Sequence, residues 1–586
     1  MSELVDRAEA ALRGGRSAEA RGLLERALAG ALPVALEAEA RSMLGLALVG
    51  LGHPKDALSH LQAAVAAEPD EAMFRYNLGC GLSAAGDTDG AVAQHQAAVR
   101  LAPGMAPLVL ALAQAQMQAG NPLEARTVLE RLDAATLRTP VVRRLHAGAA
   151  AASGDTHAAL DLARRLLPDK GDYADPQARA DAMTVASLAH AAQAYEEAQG
   201  ILAAILRHRP DDADAATVLA QLLMWTEGPA AAGELLRQAR AAGASSPRML
   251  TELLALDEPV DQEVERLAAD SALPPFERAD LLLAMAQRAD RAGDAARAWD
   301  LATRGKGLLS RPPGRDWRAT VDRQRRLFAA SEPVVLPPDG PQHLYLLGTP
   351  RSGQSLVQSI LAAAPGVTSV GERGALLQHL LFQDASIETM AKDPRAALLR
   401  DLAVADGRGL ARVAPEAGWI VDKSPLHLAV AGLVARVHPA ARFAAVLRDP
   451  ADVAVSIFLR RFPPVYDYAD DFAAVLDHLD FALDAIAAWR AEGLDIHLVD
   501  FDRFLDDPAA SGAALFDWLG LAWNNEYLEP SRRTEPVPTY SALQVRQKVG
   551  EGKSRGAAPY ASMLEPFAQP LAALRAKQAQ LFAGTA

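Results

Sequence analysis

Cysteine is nearly missing from this chain: of its 586 residues, Cys80 is the single thiol. An intrachain disulfide is therefore impossible, and a cysteine-based metal site lacks its ligands. Cys80 itself, in NLGCGLSAAG, reads as a small residue packed between helices. Aromatics are scarce at 5%, while alanine is abundant. That balance suits closely packed helices better than a β-sandwich. No stretch reaches the about 18 uncharged apolar residues of a membrane-spanning helix. The N-terminal MSELVDRAEAALRGGRSAEA is charged along its length, unlike a secretory signal. A cytoplasmic protein is expected. Positive charge is also in deficit, with a formal net charge of −14. Global attraction to nucleic acid or to an anionic membrane surface is thereby excluded, although a local basic pocket is not.

What the chain does have is length for two or more domains and a strict internal period. Gly52, Gly86, Gly120 and Gly154 lie 34 residues apart, and Ala57, Ala91, Ala125 and Ala159 keep the same step. Leu44-Gly45, Leu78-Gly79 and Leu112-Ala113 hold the matching place earlier in each unit, and Pro69 and Pro103 close two of them. Each unit reads as a helix, a glycine-relieved turn and a second helix. This pattern resembles the tetratricopeptide repeat over about residues 3–240, with degenerate pairs continuing to about 310. The resemblance implies an all-α solenoid whose concave face binds a protein or peptide.

Between 311 and 341 the pattern breaks. RPPGRDW, a short basic helix and SEPVVLPPDGPQ read as a Pro-rich linker, which places the array at 1–310 and a second domain at 342–586. In that domain short strands are expected at Leu344–Leu347, Trp419–Val421, Phe443–Leu447 and Ile496–Val499, with helices between them. Such alternation implies an α/β domain with a mainly parallel sheet and ligands at the carboxyl ends of the strands. Arg351, Lys423 and Arg448 each follow one of these strands.

The first of these clusters, GTPRSGQS, has the spacing of the phosphate loop G-x-x-x-x-G-K-[ST]. Neutral Gln354 stands where the phosphate-gripping lysine belongs. Gly348 and Gly353 keep Cβ atoms out of the way, the helix starts near Ser352, and Arg351 can fork onto phosphate or sulfate oxygens. In LRDPADVAVSIFLRR, Arg448 and Ser456 can offer a charged fork and a hydroxyl to one phosphate. Arg460 lies one helical turn beyond Ser456.

TPRSGQSLVQSILAAAPGVTSVGE resembles the 5′-phosphosulfate loop of sulfotransferases that use 3′-phosphoadenylyl sulfate (PAPS), whose common form is P-R-S-G-T-T-L. VLRDPADVAVSIFLRRF is similar to their 3′-phosphate motif, and VDKSPLH and SALQVRQKV to further elements of the tyrosylprotein-sulfotransferase and repeat-fused branch. The likeness spans about 342–567. It implies a P-loop-like fold and metal-free transfer of a sulfuryl group from PAPS to a hydroxyl or amine, with adenosine 3′,5′-bisphosphate as the product. By the same resemblance, Arg351, Ser352, Gly353, Gln354, Ser355, Arg448, Ser456 and Arg460 hold the donor. Glu372 in SVGERGA takes the acceptor proton, and Lys423 and Ser541 stand beside the leaving group.

Departures from the family pattern are visible. Gln354 replaces the first of two threonines, and Phe501-Asp502 stands where a tyrosine–glutamate pair is common. After QVRQ the chain runs KVGEGKSRGAAPY, a basic stretch that offers Lys553 or Arg555 to a phosphate. Tyr560 reads equally as an adenine-stacking or a core residue. His379 and His427 are alternative bases or structural histidines. The acceptor is open among a protein tyrosine, a glycan and a small molecule. Two competing readings are a kinase with a degenerate loop and a non-catalytic scaffold carrying a retired enzyme domain.

Overall fold

A computed structural model describes residues 2–168, 171–309, 314–336, 340–529 and 556–584. The chain divides into two compact units, Met1–Leu167 and Pro168–Ala586. The first consists of antiparallel helix pairs, among them Val34–Gly50 with Pro54–Ala67 and Ala72–Ala85 with Thr88–Leu101. Ala106–Gln118 with Pro122–Leu129 and Pro140–Ala152 with Thr156–Ala163 follow. The periodic glycines all sit in the turns: Gly52, Gly86, Gly120 and Gly154 have φ of 80°, 86°, 77° and 80°. Only glycine adopts that left-handed geometry without a steric penalty. Their counterparts Ala57, Ala91, Ala125 and Ala159 are each 0% exposed. Close helix approach explains the small residue after each leucine. A Cβ added to Gly45 would lie 2.4 Å from Leu61 Cγ, and one added to Gly79 2.6 Å from His95 Cε1.

The second unit opens with more pairs of the same kind. Pro176–Ala191 pairs with Tyr195–His208, and Ala213–Thr226 with Pro229–Ala241. Pro247–Ala255 and Asp261–Ala269 follow, then Pro275–Ala292 with Ala295–Gly307. A single amphipathic helix, Trp317–Ala329, leads to the sheet.

The five strands are β1 (Gln342–Leu347), β2 (Val367–Gly371), β3 (Trp419–Lys423), β4 (Arg442–Leu447) and β5 (Ile496–Asp500). They pair in parallel in the order β2-β3-β1-β4-β5. β2 is not among the strands expected from the sequence. As an edge strand paired with β3 alone, it buries only the first and fourth of its residues, so VTSVG shows no apolar run. From the central β1 the chain builds outward to β2, returns to β3, and then crosses to β4 and β5. The carboxyl end of β1 is therefore the switch point at which α/β sheets bind ligands. Among the described residues no helix is long and apolar enough to cross a membrane.

Within this unit the helical pairs and the α/β layer share one core, in which Leu281 and Leu301 cluster with Leu327, Val430 and Trp489. Trp299 stands at the junction, its ring 4.8 Å from that of Phe458 and 5.0 Å from that of Phe472. Trp299→Ala is expected to destabilise the Pro168–Ala586 unit by about 3 kcal/mol. Denaturant unfolding followed by far-UV circular dichroism measures this. A change confined to the helical pairs, with the α/β transition unmoved, would show that the two layers do not share a core.

Candidate active site

The loop after β1 is shaped by three left-handed residues: Gly348 at φ 135°, Arg351 at 69° and Gly353 at 107°. Neither glycine tolerates a side chain. A Cβ on Gly348 would lie 2.7 Å from Val446 O, and one on Gly353 2.3 Å from the Phe501 ring. Phe501 is therefore the floor under the loop. Arg351 is not glycine, so its conformation carries strain that its surroundings must offset.

Gly353 begins the helix Gln354–Ala362 and, being glycine, offers no side-chain cap of its own. A helix start of this kind points backbone N–H groups toward an anion. The Gln354 side chain donates from Nε2 to Leu346 O at 3.1 Å. Ser352 Oγ is buried and, among the described residues, has no hydrogen-bond partner. Ser355 is buried on the first turn. A buried hydroxyl with no partner among the described residues, at a helix start whose glycines leave a cradle that a Cβ would fill, fits a tetrahedral anion.

Beside the loop, guanidiniums converge. The helix Pro450–Phe458, capped by Asp449, carries Ser456 on its last turn. Ser456 Oγ accepts from Arg351 Nε at 3.0 Å and from Arg460 Nη1 at 3.1 Å; the same Arg460 nitrogen donates to Ser456 O at 2.9 Å. Arg448 donates to Asp452 Oδ2 at 2.7 Å, and its Nε lies 3.9 Å from Asp502. Withdrawal from water, and then the fields of Arg460 and Arg448, push the Arg351 guanidinium down from its ordinary value. Burial likewise depresses Arg460, against the opposing pull of Asp290 and Tyr560. Asp452 also accepts from Ala557 N–H at 2.7 Å, which ties the last described segment to the same spot.

Across the sheet edge, Lys423 at the end of β3 donates to Glu372, which follows β2. The ammonium is 5% exposed and the carboxylate 43%, so the carboxylate forms the mouth of the site. Behind it, Arg373 Nη1 lies 3.1 Å from Asp406, whose other oxygen is 3.0 Å from His438 Nε2. Burial pulls Asp406 upward, but Arg373 and then His438 outweigh it and hold the carboxyl low. Burial pushes the neighbouring Asp422 up to about 8, and pushes His427, 3.8 Å away, down to about 3. Tyr466 is raised by burial and then by the charge of Glu372. A turn of the helical pairs also arrives here: Gln193 Nε2 donates to Val370 O at 3.1 Å.

With this geometry in view, residues 343–525 match the sulfotransferase family, and residues 42–106 and 82–149 match tetratricopeptide repeats. The chain carries tetratricopeptide repeats and a sulfotransferase-family domain. A relative, an uncharacterized protein of Aquifex aeolicus (strain VF5), is 25% identical over 327 residues, which cover 50% of this chain and 41% of that protein. This chain thus spans well under half of that relative's length. A tetratricopeptide repeat protein from Parabacteroides merdae is 13% identical, covering 53% of this chain and 93% of that one with a TM-score of 0.25. For Pseudomonas aeruginosa pilF the values are 16%, 42%, 94% and 0.25.

In the sulfotransferase-family domain the structure brings Arg351, Ser456 and Arg460 together, sets Arg448 in their field, and pairs Glu372 with Lys423. Ser541 and Lys553 lie outside the described residues, as does Arg555. His379 is 1% exposed with Nδ1 3.2 Å from Gln383 Oε1, and His427 is equally buried. Tyr560 is 1% exposed and donates to Asp290 at 2.6 Å. Missed in the sequence were Asp452, Arg373, Asp406 and Lys306. Of these, Asp452 alone had a readable signal, its i,i+4 spacing from Arg448.

The Asp422 carboxyl yields a pH prediction. Its folded-state value lies above the ordinary 3.8, so between about pH 4 and pH 8 the folded state binds more protons than the unfolded. Stability therefore falls as pH rises through that window. Asp422→Asn should remove this slope, so that its melting temperature gains on the wild type from pH 5 to pH 8. Parallel curves for the two proteins would mean that Asp422 does not titrate there.

Proposed function

We propose that the chain is a PAPS-dependent sulfotransferase that moves a sulfuryl group to an acceptor hydroxyl or amine. The observation that carries this reading is Ser456 held between Arg351 and Arg460, with Arg448 in their field, beside the helix start at Gly353 and within the segment that matches the sulfotransferase family. Two anion sites are needed for such a donor. The loop amides and Ser352 suit its 5′ end, and Ser456 with its arginines suits a 3′-phosphate. Gln354 contributes its backbone amide, because its side chain is committed to Leu346 O. No lysine is needed in the loop, since a phosphosulfate carries less charge than a triphosphate.

When bound, PAPS supplies a sulfuryl group on a phosphate leaving group. Glu372, at the mouth, accepts the proton of the acceptor. Lys423 lies beneath it, at the end of β3, where an ammonium neutralises charge growing on the leaving oxygen. Their mutual bond keeps both at the sheet edge until acceptor and donor separate them. Tetratricopeptide repeats commonly hold peptides or proteins, so the array recruits a protein acceptor or partner. A tyrosine hydroxyl, as in the tyrosylprotein branch, is the acceptor to test first, followed by glycan and small-molecule hydroxyls.

Titration calorimetry with adenosine 3′,5′-bisphosphate, and with ATP–Mg²⁺ alongside, tests the reading. The bisphosphate alone should bind; binding of ATP–Mg²⁺ alone would mean a kinase, and silence with both a scaffold. Arg448→Ala should weaken the bisphosphate by roughly 10–100-fold, the worth of a charge-assisted contact, and leave adenosine 5′-monophosphate nearly unaffected. Equal losses would remove the 3′-phosphate assignment. Glu372→Gln should retain nucleotide affinity but lower turnover by about 10²–10⁴-fold, measured with labelled donor. Undiminished turnover would move the base elsewhere.

A further inference from the structure

Lys306 is out of place for a repeat helix. It sits on the last turn of Ala295–Gly307, yet its side chain is only 2% exposed. A buried ammonium is costly unless its donors are satisfied. Its partners come from the sulfotransferase-family domain: Nζ donates to Arg460 O at 2.7 Å and lies 3.4 Å from Asp470 Oδ1. Arg460 lies just past the end of the helix Pro450–Phe458, where spare carbonyls attract a cation. Lys306 therefore pins the backbone of Arg460.

The partner helix of the same pair acts on the side chain. Asp290, near the end of Pro275–Ala292, accepts from Tyr560 Oη at 2.6 Å. The charges of Asp290 and Tyr560 oppose the effect of burial on the Arg460 guanidinium. Tyr560 is locked in turn by Trp299, ring to ring at 6.1 Å. Arg460 thus has its carbonyl held by one helix of the pair and its buried charge favoured by a carboxylate on the other.

We infer that Lys306 and Asp290 are positioning residues for Arg460, so that the last helix pair of the array completes the site that selects a 3′-phosphate. The inference rests on the reading of Ser456 and its arginines given under the proposed function. It makes this pair part of the donor site rather than of a detachable recruiting arm.

The test uses the full chain and two ligands, adenosine 3′,5′-bisphosphate and adenosine 5′-monophosphate, titrated into the wild type, Lys306→Met and Asp290→Asn. The wild type should prefer the bisphosphate. Each variant should lose roughly tenfold in bisphosphate affinity with little change for the monophosphate, so the preference ratio collapses. An unchanged ratio would overturn the inference, as would equal loss for both ligands, which is what a merely structural role produces. Should either variant fail to fold, Tyr560→Phe keeps the ring and removes only the hydroxyl bonded to Asp290; its ratio then decides. A wild type without preference for the bisphosphate would instead overturn the underlying reading of Arg448 and Ser456.

Discussion

Like charges held together set the terms for the second unit of this protein. Arg351, Arg448 and Arg460 lie within one another's fields at the carboxyl edge of the sheet, beside the positive end of a helix dipole. In water such a cluster would fly apart. Here Ser456 bridges two of the guanidiniums, Asp452 takes the third, and Asp290 with Tyr560 faces Arg460. A chain with a net charge of −14 thereby gathers three guanidiniums at one sheet edge, because local arrangement rather than composition determines the field.

The sheet order is what makes that arrangement possible. With β1 central and its neighbours β3 and β4 running parallel to it, the ends of adjacent strands deliver the loop, Lys423 and Arg448 to a single edge. Edge strand β2 brings Glu372, and β5 is followed by Phe501, on which the loop rests. Strain at Arg351 and the close seat of Gly353 on Phe501 are tolerable only on a rigid base. That base includes the helical pairs, which share their hydrophobic core with the sheet and grip Arg460 through Lys306. Helical pairs joined to the sheet in this way support the residues at its edge.

Much of the site could be read in the chain because its parts are local. Arg351, Gly353 and the helix start occupy neighbouring positions, and Arg448, Ser456 and Arg460 fall on one helix and its end. Lys423 was legible from the apolar strand before it and Glu372 only from the family resemblance, and their mutual bond was not foreseen. β2 escaped notice because an edge strand needs no alternating or continuous apolar pattern. Gln354 carried a misleading cue. The sequence showed a missing lysine, whereas the fold uses the amide to brace the loop against its own strand.

The 34-residue glycine and alanine period determined the helix pairs by itself, since a left-handed turn and a close helix contact exclude almost every other residue. Apolar runs followed by charged clusters likewise determined an α/β domain with charged residues gathered at one sheet edge. Only the tertiary structure decided that Asp290 meets Tyr560 across 270 positions and that Lys306 reaches Arg460 across 154. Contacts at such separations leave no local pattern, because each residue looks like an ordinary surface charge until folding brings its partner to it.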